Sequence, residues 1–189
     1  MKKIIIIVAI LLVVGGLYFW KNRQDEGPIT QPEPSTNFTP DPSSATFTFD
    51  DGVVTLSNGK NENDNSGMLE ETRLLEEEAN GDINGDGKLD SVVLLARSGG
   101  GSGVFIYAAA YVSGPINYKG TNAVYLGDRV SPESISISNG VATVNYLDRN
   151  PDEAFAADPT APTSMQFTYS NGVFEERSKM CFNSLPRGA

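Results

Sequence analysis

The stretch Asp82-Ile83-Asn84-Gly85-Asp86-Gly87-Lys88-Leu89-Asp90 packs three aspartates and an asparagine into one short loop. Asp82, Asn84 and Asp86 alternate, so a tight turn can direct their oxygens inward. Gly87 follows where the chain must bend sharply, a conformation that glycine adopts at no steric cost. Oxygen donors in this arrangement suit a hard cation held in a loose cage, and calcium is the expected ion. Lys88 would contribute only its backbone carbonyl, with its side chain in water. Asp90 would supply a further oxygen, directly or through a water. The competing reading is a polar turn without metal, built on Asn84-Gly85 and Asp86-Gly87. Against it, carboxylates this close repel one another unless a cation lies between them.

The spacing agrees with the opening positions of an EF-hand loop but departs where that loop ends in a bidentate glutamate. Val93 stands there instead. It lies in the apolar run Val92-Val93-Leu94-Leu95-Ala96, which is short and partly β-branched, so a buried strand is expected rather than an exiting helix. Residues 81–93 resemble the Asp-x-Asn-x-Asp-Gly-x-x-Asp loop of FG-GAP and VCBS-type extracellular repeats, as in integrin β-propellers, where the loop also leads into a hydrophobic strand. That resemblance implies side-chain ligation by Asp82, Asn84, Asp86 and Asp90 and carbonyl ligation by Lys88. The unit occurs once, and a propeller needs it repeated, so no propeller follows. A further side-chain ligand would come from elsewhere in the chain, and Glu76 to Glu78 are the nearest candidates.

The elements around the loop read as strands. Thr46-Phe47-Thr48-Phe49 alternates, turns at Asp50-Asp51-Gly52 and resumes as Val53-Val54-Thr55-Leu56, a hairpin. Residues 57–67 are polar and rich in Gly and Asn, hence loop. Residues 68–79 are ambiguous. Their Leu and Glu content favours helix, while the resemblance favours a strand entering the loop. We read a strand in their second half. Ser98-Gly99-Gly100-Gly101-Ser102-Gly103 is a flexible hairpin connection rather than a phosphate cradle, because the apolar strand 104–112 follows it instead of a helix. Residues 123–126 form a short strand. Asn139-Gly140 and Asn171-Gly172 each join two alternating runs as hairpins. Residues 148–162 form a long loop.

Segments 81–87, 100–107 and 126–130 together are similar to the core of a group of small, membrane-anchored bacterial proteins, a likeness that brings no activity with it. Within the last segment, Arg129 either enters a pocket or makes a surface ion pair in a turn, and the turn is favoured.

Met1-Lys2-Lys3 precedes an unbroken apolar run, residues 4–20, which ends in Tyr18-Phe19-Trp20 before Lys21 and Arg23. The run reaches the lower limit for a membrane-spanning helix, and its aromatic end suits the interface. A cleaved signal peptide is the alternative, but bulky residues follow Gly15-Gly16 and make a poor cleavage site. Residues 22–44 are rich in Pro, Ser, Thr and charge, an extended stalk. Asn37-Phe38-Thr39 matches a glycosylation acceptor, a motif with many false matches. The expected organisation is a transmembrane signal anchor (1–21), a linker (22–44), one antiparallel β-rich calcium-binding domain (45–175) and a loose tail (176–189). The class is mainly β, with α+β as the alternative.

Composition narrows the chemistry. Setting Lys2 and Lys3 aside leaves 12 basic against 24 acidic residues, a balance that disfavours nucleic acid. The chain has no histidine, which removes Ser-His-Asp and Cys-His catalysis and histidine-held metals. Cys181 is the lone cysteine, so no intramolecular disulfide forms. Two functions remain. The first is a single-pass, extracytoplasmic binding module with a structural Ca2+, anchored in the cell membrane and meeting an unknown protein or envelope polymer. The second is a glycosidase-like hydrolase working with carboxylates such as Asp128, Asp148, Asp152 and Glu153, none of which sits in a catalytic motif. The non-enzymatic reading is favoured. Phe105, Tyr107, Tyr111, Tyr125 and Tyr146 would then be either core residues or a binding platform, and alternation on strands favours core.

Overall fold

The computed structural model describes residues 39–65, 67–154 and 156–177. The expected anchor, most of the linker and the tail beyond Arg177 lie outside the described residues. No helix among the described residues is long and apolar enough to cross a membrane.

The domain is mainly β and built from antiparallel sheets. The α+β alternative is not supported, since the described helical residues belong to one 3-10 turn, Pro42–Ser44. That turn is capped by the Asp41 carboxylate, and Pro40 and Pro42 are buried. The domain therefore includes residues upstream of Ala45 that the sequence assigns to the linker.

The hairpin of β1 (Thr46–Phe49) and β2 (Gly52–Thr55) forms one layer. The central layer holds β3 (Lys60–Asn65), β4 (Met68–Gly81), β5 (Asp90–Gly99) and β6 (Phe105–Val112) side by side. The short β7 (Lys119–Gly120) and β8 (Val124–Asp128) share the far edge of β6. The third layer is a meander of β9 (Ser131–Ser138), β10 (Val141–Asp148), β11 (Ala161–Ser170) and β12 (Val173–Glu176).

Strand β5 explains the apolar run seen in the sequence. Val92, Leu94 and Ala96 face the meander, in a core with Ala142, Val144 and Phe167. Val93 and Leu95 face the hairpin, in a second core with Phe47, Phe49 and Leu56. A strand covered on both faces needs no polar alternation. Opposite it, β6 supplies Ala108, Ala109 and Ala110, paired with Leu94, Val93 and Val92. Small residues opposite large ones let both layers approach closely.

The loop expected over 148–162 is shorter, since Asp148 ends β10 and pairs with Ala161 of β11, and two further segments differ from expectation. Residues 60–65 form β3, although Lys-Asn-Glu-Asn-Asp-Asn has no apolar period. It is an edge strand, where charge is tolerated and guards against pairing with other chains. Residues 68–81 are strand throughout, because pairing with β3 and β5 overrides the helical preference of Leu and Glu. The β4–β5 register shifts between Leu74 and Glu78, which bends the strand before it enters the loop.

The segment 120–123 ties the layers together. The Thr48 N–H donates to the Thr121 carbonyl, and the Ala123 N–H donates to the Thr48 carbonyl. The Asn122 amide imitates a strand neighbour for β12, donating to the Phe174 carbonyl at 2.7 Å and accepting its N–H at 2.9 Å. Gly120 allows this approach, since a Cβ there would collide with the Thr46 carbonyl oxygen and stand 2.9 Å from the Phe47 ring. Gly120→Ala is expected to destabilise the domain by about 1–3 kcal/mol, the usual cost of overpacking. Urea unfolding measures this, and an unchanged midpoint would show that the hairpin is not seated on this residue.

Candidate functional site

The loop leaves β4 at Gly81, paired with Asp90, and returns to begin β5 at Asp90. Ile83 is buried in the core against the meander and holds the loop down from inside. Gly85 and Gly87 have φ of 79° and 81°, the left-handed region that their positions in the sequence anticipate.

Each predicted side-chain ligand has a defined place. The Asp82 carboxylate accepts the Gly85 N–H at 2.7 Å and the Gly87 N–H at 2.9 Å. The Asn84 side-chain oxygen accepts the Asp86 N–H at 2.9 Å, and its amide donates to the Ser113 carbonyl at 3.0 Å. The Asp86 carboxylate accepts the Lys88 N–H at 2.9 Å and the Ser113 hydroxyl at 2.6 Å. These turns curl the backbone around the side-chain oxygens. The Ser113 hydroxyl bond, helped by the Lys88 N–H and ammonium, outweighs desolvation and holds the Asp86 carboxyl below its ordinary value. The Lys88 side chain is exposed, as expected, and reaches along the surface. Its ammonium donates to the Gly114 carbonyl at 3.3 Å and stands 3.8 Å from Asp86.

Asp90 is wholly buried. One carboxylate oxygen accepts the N–H groups of Ile83 and Asn84, at 2.9 and 3.2 Å. The other accepts the Ser113 N–H at 2.7 Å. A single carboxylate thus closes the loop and joins it to the end of β6. Ser113 also receives the Asn84 amide and donates to Asp86, so it is the partner from outside the loop that the sequence did not reveal. Tyr118 joins from the same side, its hydroxyl donating to the Leu89 carbonyl at 2.7 Å.

The chemistry of the donors fits calcium. Carboxylates, an amide oxygen and a backbone carbonyl lie in one glycine-hinged turn. Among the described residues, no three Asp, Glu, Cys or His side chains converge as a preformed metal group. Coordination by Asp82 and Asp86 would therefore share or replace their bonds to loop N–H groups. Of the further candidates, Glu78 accepts the Ser91 hydroxyl at 2.9 Å. Glu76 and Glu77 line a different depression, with Arg73 and Arg129.

Outside the loop, Asp128 sits in a turn beside Arg129 and Arg149. Asp128 accepts the Val104 N–H at 3.0 Å and pairs with Arg129 at 2.9 Å. Burial is the largest single influence and opposes its ionisation. The Arg129 bond, the Val104 N–H and the Arg129 and Arg149 charges together outweigh burial and lower its pKa. A general acid requires the opposite shift. Arg129 sits at φ 53° and makes the expected ion pair within a turn. Arg149, which no motif signalled, donates to the carbonyls of Asp128, Arg129 and Ala157 and clamps that turn to the long loop.

No protein-family description matches the chain, and neither curated proteins nor solved structures give a match.

Two predictions follow from this geometry. Asp90→Ala leaves three backbone donors without their acceptor and is expected to cost about 3 kcal/mol or more. Denaturation in chelator isolates this effect from metal binding. A loss below about 1 kcal/mol would remove Asp90 as the loop's anchor. Asp128 has a lowered folded pKa, so its stabilisation is complete above the ordinary aspartate range and is lost as the pH falls through the folded value. The melting-temperature gap between the parent chain and Asp128→Asn should close on acidification. A gap independent of pH would contradict the charge pairing.

Proposed function

We propose that this chain is a non-catalytic, membrane-anchored extracytoplasmic module, held by calcium in the Asp82–Asp90 loop, that presents its β domain to a protein or polymer of the cell envelope. The observation that carries this reading is the loop itself. Its alternating oxygen donors are curled by left-handed glycines and fastened to β5 and β6 through Asp90 and Ser113. An ion there would lock the entrance of the strand around which both cores pack.

The setting agrees with the chemistry. Millimolar calcium outside cells can fill a modest site. The apolar run 4–20 provides the tether, with its aromatic end Tyr18-Phe19-Trp20 at the interface. The acidic body repels polyanions and remains soluble. The lowered pKa of Asp128 counts against its use as a catalytic acid, the need of the competing hydrolase.

Thermal melting of the full chain in detergent, with calcium and with chelator, tests the metal. A ligand that binds only the folded state adds about 2.7 kcal/mol at a hundredfold excess over its Kd. That corresponds to several degrees for a domain of this size. Asp86→Ala should abolish the difference. Equal melting temperatures in the parent chain would contradict structural calcium. Pull-down with and without calcium then reports on the partner.

A further inference from the structure

The face of the central sheet that the β1–β2 hairpin packs against is only partly covered. Beyond the hairpin, Leu95 and Tyr107 give way to Arg97 and Phe105, which lie directly opposite each other on β5 and β6. Phe105 is 40% exposed and Tyr125, on β8, is 49% exposed. Their rings stand 6.3 Å apart, and Tyr125 meets Tyr107 edge-on at 5.5 Å. Tyr107 in turn meets the buried Phe49 at 5.0 Å, which anchors the row in the core. The row therefore divides. Tyr107 and Tyr111 pack against the hairpin core and Tyr146, on β10, is buried in the core beneath the meander, while Phe105 and Tyr125 present apolar surface to water.

Arg97 joins this row to a cleft. Its guanidinium lies 5.0 Å from the centre of the Phe49 ring, bonds Asp51 at 2.6 Å and stands 3.8 Å from Glu70. The cleft has a volume of about 460 Å³, within the range of small-ligand sites. Asp51, Asn61, Glu62, Asn63, Glu70 and Arg97 line it, with the buried Thr72 among them. Through Arg97, opposite Phe105, a cleft of carboxylate, amide and guanidinium groups adjoins the exposed aromatic row.

We propose that this face binds a strand of uncharged polysaccharide, an inference that rests on the binding-module reading and names its ligand class. Sugar rings carry an apolar C–H face and pairs of adjacent hydroxyls. The C–H faces suit Phe105 and Tyr125. The hydroxyl pairs suit the two-pronged side chains of the cleft, each able to donate or accept in parallel. An apolar peptide would leave the polar cleft unsatisfied. A polyanion would meet three carboxylates, Asp51, Glu62 and Glu70, against the Arg97 guanidinium and the Lys60 ammonium paired with Glu62, so negative charge is in excess. The charge of the cleft therefore selects a neutral chain over an acidic one.

Calorimetric titration of the full chain in detergent and calcium, against chitohexaose, a soluble β-glucan and heparin, tests this. One of the two neutral glycans should bind and heparin should not. Tyr125→Ala and Phe105→Ala should each weaken binding about tenfold, as expected for aromatic anchors. Val173→Ala, an equally exposed residue on β12, should leave binding unchanged. Circular dichroism melts confirm that the variants fold. Binding that survives both aromatic substitutions, binding of heparin alone, or no binding to either neutral glycan would overturn the proposal. So would a dimer that Tyr125→Ala dissociates. Capture of an envelope protein without glycan binding overturns this inference while leaving the binding-module reading intact. Loss of the calcium-dependent melt affects only the metal site.

Discussion

The buried carboxylate of Asp90 is the contact on which the loop and its surroundings depend. It is the first residue of β5, and its oxygens take N–H groups from the start of the loop and from Ser113, just beyond β6. A charge without exposure is expensive unless hydrogen bonds replace its water. Here three backbone donors do so. The burial cost then becomes a constraint, because any register shift of β5 would strand the charge. Strand β5 is also the element that both cores enclose, so the same residue sets the position of the central strand.

This makes the loop a staple instead of a hinge. A calcium switch of the EF-hand kind moves one helix against another. Here the flanking elements are adjacent antiparallel strands, β4 and β5, already joined by pairing up to Gly81 and Asp90. An ion in the loop would add to a geometry that protein contacts already specify. Its expected effect is therefore on stability, with little change of shape. The proposed binding face lies on the same central sheet but uses residues near the opposite end of β5, so calcium would act on it through the rigidity of the strand.

Much of this was legible in the sequence where a local rule applied. The unbroken apolar run 92–96 identifies a strand buried on both faces. Asn139-Gly140 and Asn171-Gly172 identify two hairpin turns, and all four residues have positive φ. The spacing of Asp82, Asn84 and Asp86 identifies the loop. Strand β3 was hidden because an edge strand owes its place to pairing, and Lys60 to Asn65 carry no apolar period. The first half of β4 was hidden for a related reason, since helical preference yields to neighbours on both sides. Ser113 and Arg149 bond to segments distant in sequence, and no short motif records such partners. The division of the aromatics into core and surface depends on how far the β1–β2 hairpin reaches across the sheet, which alternation alone does not specify.

Tyr118 offers a direct reading of the central claim, because its hydroxyl bonds the Leu89 carbonyl inside the loop. Terbium, which takes the same hard oxygen ligands as calcium, would be excited through a tyrosine at that position. In the full chain, tyrosine-sensitised terbium emission should saturate, be displaced by calcium, and vanish in Asp82→Ala. Emission that calcium does not displace, or that Asp82→Ala retains in full, would contradict a calcium site in this loop.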